Sequence, residues 1–196
     1  MKSFELKGEI RNDFGKKAAK ALRKEGLVPC VIYGGHGEGN ISFVVKSSDL
    51  RGLIYTPEVF LVNLDLGEKK MMAILKDSQF HPVKENVLHI DFLHVIETAP
   101  VTIEIPVRLQ GLAVGVKAGG KLSLDRRKLK VKALPAKLPQ ELVVNVEHLD
   151  LGKSIQVGQL NFENLELLDA KNAVVCRVQL TRAARGAAAA AAKAGK

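Results

Sequence analysis

Short runs of apolar residues punctuated by Gly, Pro and Asn dominate the first half of the chain. VPCVIYGG, NISFVV, EVFLVNLDLG, KMMAILKD and VLHIDFL each hold four to eight residues rich in β-formers, and each reads as a strand. FELKGEIR alternates less cleanly but is bounded by Gly15 and belongs to the same pattern. One early segment follows a different period. KKAAKALRKE is Ala-rich and ends at Gly26, a residue suited to a left-handed helix cap, so a short helix is expected there. Within it Ala18 and Leu22, four apart, supply a packing face, while Lys16, Lys20 and Arg23 recur as a basic stripe.

The second half is also β-rich. Ile103, Ile105, Val107 and Leu109 alternate with Thr102, Glu104, Pro106 and Arg108, and Leu129 and Val131 alternate with Lys128, Lys130 and Lys132. Each such strand has one apolar face and one wet face. Between the halves lies IETAPVTIEIP. Its two prolines, Pro100 and Pro106, lack an amide donor and discourage a continuous central strand. The expected organisation is a domain over 1–95, a second β-rich domain over 96–182, and a basic, Ala-rich tail over 183–196 that has no second apolar face to bury and is expected to be disordered or only transiently helical. LDLG occurs twice, at 64–67 and 149–152, but no extended repeat surrounds it. The fold class is mainly β, formally α+β.

Composition narrows the functional classes. With 196 residues and 46% hydrophobic content, the chain can bury real cores, which excludes disorder throughout. No stretch approaches the roughly 20 uninterrupted apolar residues of a spanning helix. MKSFELKGEI lacks the apolar run and small-residue cleavage site of a secretory leader, so a cytoplasmic location is expected, with no membrane partner. Thirty Lys and Arg against 21 Asp and Glu leave a net charge of +9 and favour a polyanionic partner. The excess peaks in the first 24 residues, at +5. Cys30 and Cys176 each sit in an apolar run and read as small buried hydrophobes rather than a disulfide.

Catalytic chemistry finds little support. GGHGEG invites a phosphate-loop reading, but a strand pattern follows it instead of a helix, and no GK[ST] is present, so it reads as a hairpin loop. HIDFLH gathers His89, Asp91 and His94. On a strand His89 and Asp91 share one side, whereas His94 points away. A zinc centre would need His81, His36 or a cysteine to converge, and no spacing demands it. His148 has no evident partner. No Ser-centred elbow and no CxxC pair appears. No cofactor, metal or small-molecule substrate is expected.

What remains is a polar strand face with His89 and Asp91, a basic helix stripe, and Tyr33 at the end of VIYGG. Each has a plain structural reading: a solvated lysine face, a rim tyrosine, a local hydrogen bond on an exposed strand. Together they also suit RNA, where cations meet phosphates and a few neutral or acidic groups meet base edges. An aspartate among phosphates is repelled unless it accepts from exocyclic amines. Asp91 would then specify while the lysines position.

The motifs R…GK…LRKEG…P…YGG and Q.HPVK…LHIDF, carried by EIRNDFGKKAAKALRKEGLVPCVIYGG and KDSQFHPVKENVLHIDFLHV, resemble the bacterial large-subunit ribosomal protein family that binds 5S ribosomal RNA. The second β region, chiefly through LPAKLPQELVVNVEHLDLGKSIQVGQL, is similar to the two-domain, general-stress-protein CTC type of that family. The resemblance implies an N-terminal β-barrel with a short basic helix, whose outer face docks on a widened minor groove in an internal-loop helix of the 5S RNA. It implies RNA contacts at Arg11, Lys16, Lys20, Tyr33, Gln79, His89 and Asp91. Lys16 and Lys20 would meet phosphates; Arg11, Gln79, His89 and Asp91 would lie nearer bases and riboses. Lys20 stands where the family commonly has arginine, keeping the charge without the planar fork. Gln159, in the second region, stands where an aspartate is frequent. The implied role is a non-catalytic constituent of the large subunit, with neighbouring rRNA and ribosomal proteins as partners. The alternatives are a stress-related RNA-binding factor acting off the ribosome and a small metal-dependent enzyme built on His89 and Asp91. The basic strand with Arg126, Lys128, Lys130 and Lys132 fits either RNA or solvent.

Overall fold

The computed structural model describes residues 2–34, 39–67 and 69–182. The Ala-rich tail and the centre of GGHGEG, including His36, lie outside the described residues. The chain divides into two compact units, one formed by residues up to Ile103 together with Ala133–Gln140, the other by Glu104–Lys132 and the chain from Glu141.

Along the first unit run β1 (Lys2–Lys7), β2 (Glu9–Ile10), α1 (Lys16–Lys24), β3 (Leu27–Tyr33), β4 (Ile41–Lys46), the single turn α2 (Arg51–Ile54), β5 (Phe60–Asp65), β6 (Lys70–Phe80) and β7 (Val87–His94). The strands form one sheet in the order β1-β5-β6-β7-β3-β4-β2. Its two end strands are consecutive in sequence. β1 pairs parallel with β5, then Gly8 turns the chain across, its amide donating to the Asp65 carbonyl at 2.9 Å, and β2 pairs antiparallel with β4. The sheet is thereby curled into a barrel whose ring is closed by one strand that changes partners. Each of these end strands is paired on one side only, so the ring is joined through the chain at Gly8 and not by a further ladder. A Cβ on Gly8 would lie 2.9 Å from the Phe43 ring and 3.1 Å from the Val44 carbonyl, so this corner has room only for glycine.

Inside the barrel, Leu6, Cys30, Ile32, Phe43, Val62, Leu64, Ile90 and Phe92 are buried in one cluster. The Phe43 and Phe92 rings meet at 5.7 Å. Each fully buried Leu or Phe contributes on the order of 1.5–3 kcal/mol, so these alternating side chains dominate the unit's stability. The helix expected before Gly26 is present as α1, and Gly26 adopts the left-handed conformation (φ 78°) that ends it. None of its residues is fully buried.

The second unit adds β8 (Val101–Gln110), α3 (Val114–Lys117), β9 (Lys121–Leu124), β10 (Lys128–Ala133), β11 (Leu142–Asn145), β12 (Ser154–Gln156), β13 (Glu166–Leu167) and β14 (Val174–Gln179). They form two sheets, β11-β8-β10-β13 and β12-β14-β9. The first buries Ile105, Val107, Leu129, Val131, Leu142 and Val144. Pro106 lies inside β8 rather than interrupting it. The Val107 amide turns toward Arg127, so a residue-106 amide would turn to the other side, where pairing with β11 begins only at Val107. The missing donor leaves no hole in the ladder.

Candidate nucleic-acid interface

β6 and β7 are antiparallel, and their register sets Gln79 opposite His89 and Asp77 opposite Asp91. Directly opposed residues share a face. Ile90 and Phe92 are buried on the inner side, so this quartet stands on the outer wall. His89 and Asp91, two apart on β7, approach each other at 2.8 Å between Nδ1 and Oδ1. A carboxylate only accepts, so the proton of this contact sits on Nδ1, and Nε2 is the ring nitrogen left for a further partner. The remaining Asp91 lone pairs are acceptors. Such a pair suits donors, among them the guanine amino group and ribose hydroxyls that a wide, shallow RNA minor groove displays.

The register of neighbouring strands extends this wall. Asp91 lies beside Val31 of β3, Val31 beside Ser42 of β4, and the Ser42 carbonyl accepts from the Arg11 amide at 3.0 Å. Arg11, Val31, Asp91 and Asp77 thus occupy one lateral row. Tyr33, two residues beyond Val31, is half-buried; burial pushes its phenol up, and the charges of Asp91 and Asp77 push it further. Two guanidinium nitrogens of Arg11, Nε and Nη1, are buried and make no hydrogen bond among the described residues. Its Cζ lies 5.6 Å from the ring centre of Phe14, which is two-thirds exposed (67%). An arginine beside an exposed aromatic is a combination on which bases stack.

Lys16 and Lys20 project from α1 and are exposed. Arg23 does not join them as a free cation: its Nε donates to the Leu88 carbonyl at 3.0 Å, tying the helix to β7 next to His89. The structure therefore gathers Arg11, Tyr33, Gln79, His89 and Asp91 on one wall and flanks them with α1. Sequence reading missed three neighbours. Asp77 became visible only through strand register, and the bulge between Leu75 and Asp77 that sets it has no sequence signal. Phe14, a lone aromatic in the polar run RNDFGKK, could have been flagged. So could Lys84, in the turn after β6.

His94, with opposite parity, does not join His89 and Asp91; its Nδ1 is buried and makes no hydrogen bond. Among the described residues no three His, Cys, Asp or Glu side chains are grouped to hold a metal ion. Cys30 and Cys176 are free and buried, and burial pushes the Cys30 thiol up to about 12, with Arg11 lowering and Asp91 raising it less. It is no nucleophile. In the second unit the basic strand is interleaved with acids. Arg126 pairs with Asp169 at 3.1 Å, Arg108 with Glu141 at 3.0 Å, and Lys132 lies opposite Glu166.

Fold and wall together define a two-unit β protein that presents a polar face flanked by cations and shows no catalytic grouping among its described residues. Residues 6–92 match the model of the ribosomal L25p family, and residues 100–182 match that of the C-terminal domain of ribosomal protein TL5. A Porphyromonas gingivalis protein named large ribosomal subunit protein bL25 is 59% identical over 189 residues, covering 96% of this chain and 98% of the relative. Proteins of the same name from Bacteroides thetaiotaomicron (57% over 198 residues, 98% of this chain and 100% of the relative) and Parabacteroides distasonis (55% over 192 residues, 95% and 98%) are similarly alike. The chain belongs to the ribosomal L25p family. As a member of a ribosomal-protein family it is a structural component and not an enzyme.

Proposed function

We propose that this chain is a structural constituent of the large ribosomal subunit that binds 5S rRNA through the outer wall of its barrel. Relatives alike over nearly their whole length bear the name of a large-subunit protein, which supports the first half. The second half rests on one observation, the His89–Asp91 pair with Gln79 opposite it and Arg11 in the same row. In this reading Lys16 and Lys20 hold phosphates, Arg11, Gln79, His89 and Asp91 meet bases and riboses, and Tyr33 supports the same face. The division of labour follows the expected domains: residues 1–95 carry RNA recognition, 96–182 form an accessory β domain, and 183–196 are a basic tail. The protein acts in the cytoplasm as part of the ribosome. Crosslinking the intact protein in cells and sequencing the recovered RNA tests the reading. Enrichment of 5S rRNA is expected, and recovery of 23S rRNA without it would overturn the assignment.

A further inference from the structure

Beside the reading wall lies a second feature that, of the seven assigned residues, only Lys20 touches. The C-terminal half of α1 and the turn between β6 and β7 enclose a cleft of about 480 Å³. Lys20, Lys24, Arg23, Lys84 and His81 line it, and no carboxylate does; Glu25 and Glu85, adjacent in sequence, are not part of its lining. Lys20 and Lys24 are one helical turn apart, an arrangement in which like charges repel. Neither forms an ion pair among the described residues, in contrast to Lys2, held by Glu58 at 2.7 Å.

The cleft is built from ordered parts. His81 Nδ1 accepts the amides of Val83 and Lys84, each at 3.2 Å, its own amide donates to the Asn86 carbonyl at 2.8 Å, and the Glu85 amide returns to the His81 carbonyl at 2.9 Å. Since Nδ1 accepts, Nε2 carries the proton, making His81 a donor. Glu85 takes the left-handed conformation (φ 55°) that closes this turn. Arg23 secures the other wall through Leu88. Leu88 and Val87 line the cleft and immediately precede His89, so donors and cations continue directly from the His89–Asp91 pair along β7.

We infer that this cleft is a phosphate-binding subsite, in which Lys24, Lys84 and His81 grip the RNA backbone one strand segment away from the bases met by His89 and Asp91. The assignment rests on the RNA-binding reading and extends it to residues beyond those seven. Every charged side chain of the lining is a cation, with no acid to neutralise it, and Leu27, Val28, Val87 and Leu88 supply the apolar remainder, so the charge of the cleft is complementary to a polyanion.

Filter binding of the full chain to 5S rRNA across a salt series tests it. Lys24→Gln with Lys84→Gln should weaken binding about tenfold near 0.1 M salt and flatten the slope of log affinity against log salt by roughly 0.7–0.9 for each phosphate no longer neutralised. Lys7→Gln with Lys153→Gln, an equal loss of two charges on β1 and in the second unit, is the control and should change little. In parallel, lysine acetylation read by mass spectrometry should show Lys24 and Lys84 protected in the complex. If wild type binds but the double variant matches the control and both lysines remain reactive, the cleft assignment falls while the wall reading stands. If wild type ignores the RNA, the wall reading itself falls.

Discussion

Asp77 and Asp91 stand directly opposite one another on β6 and β7, two carboxylates in register on the outer wall of the barrel. Opposed like charges on a sheet are destabilising by roughly 0.2–1 kcal/mol, and Asp91 is already committed to His89. Asp77 spends Oδ1 on the Ser78 amide at 2.8 Å, an interaction an asparagine oxygen can keep. Asp77→Asn should therefore raise the stability of the free protein by about 0.5 kcal/mol in urea titration. A variant less stable than wild type would show that the two carboxylates do not oppose each other in solution.

The Asp91 carboxylate makes a sharper demand. Asp91→Asn keeps the shape but replaces one acceptor oxygen by a donor and removes a negative charge. Discrimination between 5S rRNA and an unrelated duplex should fall by about 1–3 kcal/mol, the scale of one specific base contact, while binding to the unrelated duplex holds or tightens. Competition binding at fixed salt measures both. An equal loss on both RNAs would mean that Asp91 acts through folding and not through reading.

Arg23 ties α1 to β7. Arg23→Lys retains the charge and loses the Nε donor to Leu88. Its expected cost is about 0.5–1.5 kcal/mol, accompanied by faster hydrogen exchange in α1, whose residues are nowhere fully buried. Unchanged exchange would show that helix packing through Leu22 is sufficient alone.

The strands and α1 were legible because their signals are local: period-two apolar residues, an Ala-rich period ended by Gly26. The shared side of His89 and Asp91, and the exclusion of His94, followed from strand parity alone. What sequence could not supply was partnership between distant segments. Asp77 reaches Asp91, and Arg11 reaches the same row, through register set by a bulge and by barrel closure. Arg23 has the spacing of a basic stripe, and only the position of the Leu88 carbonyl reveals its other task. Pro106 misled for a related reason, since a proline's effect on a strand depends on which side its missing amide would face.

Cys30 gives the fold a pH signature. Burial first, and Asp91 to a lesser degree, raise its pKa from 9.0 to about 12, so the folded state holds the neutral thiol while the unfolded chain ionises earlier. That stability is fully present below about pH 9 and is lost as pH rises toward 12, at up to about 1.4 kcal/mol per pH unit. Urea unfolding of wild type and Cys30→Ala between about pH 8 and pH 10.5 should give a steeper decline for wild type. Parallel declines would place the effect on the lysines and tyrosines that both proteins share.

Gly8 is where the barrel closes, and its demand is for space rather than unusual backbone angles. A methyl group there would meet the Phe43 ring at 2.9 Å, the Leu66 side chain at 3.1 Å and the Val44 carbonyl at 3.1 Å. Phe43 is fully buried against Phe92, so it cannot retreat without disturbing the core. Gly8→Ala should cost about 1–3 kcal/mol, the range of overpacking. Gly39→Ala, where nothing lies within 4 Å, should be close to neutral. Thermal unfolding of the two variants separates steric closure from the general loss of a glycine. Equal midpoints would mean that β1 and β2 part from their partners easily, leaving the Arg11 row, which depends on β2 pairing with β4, without a fixed anchor.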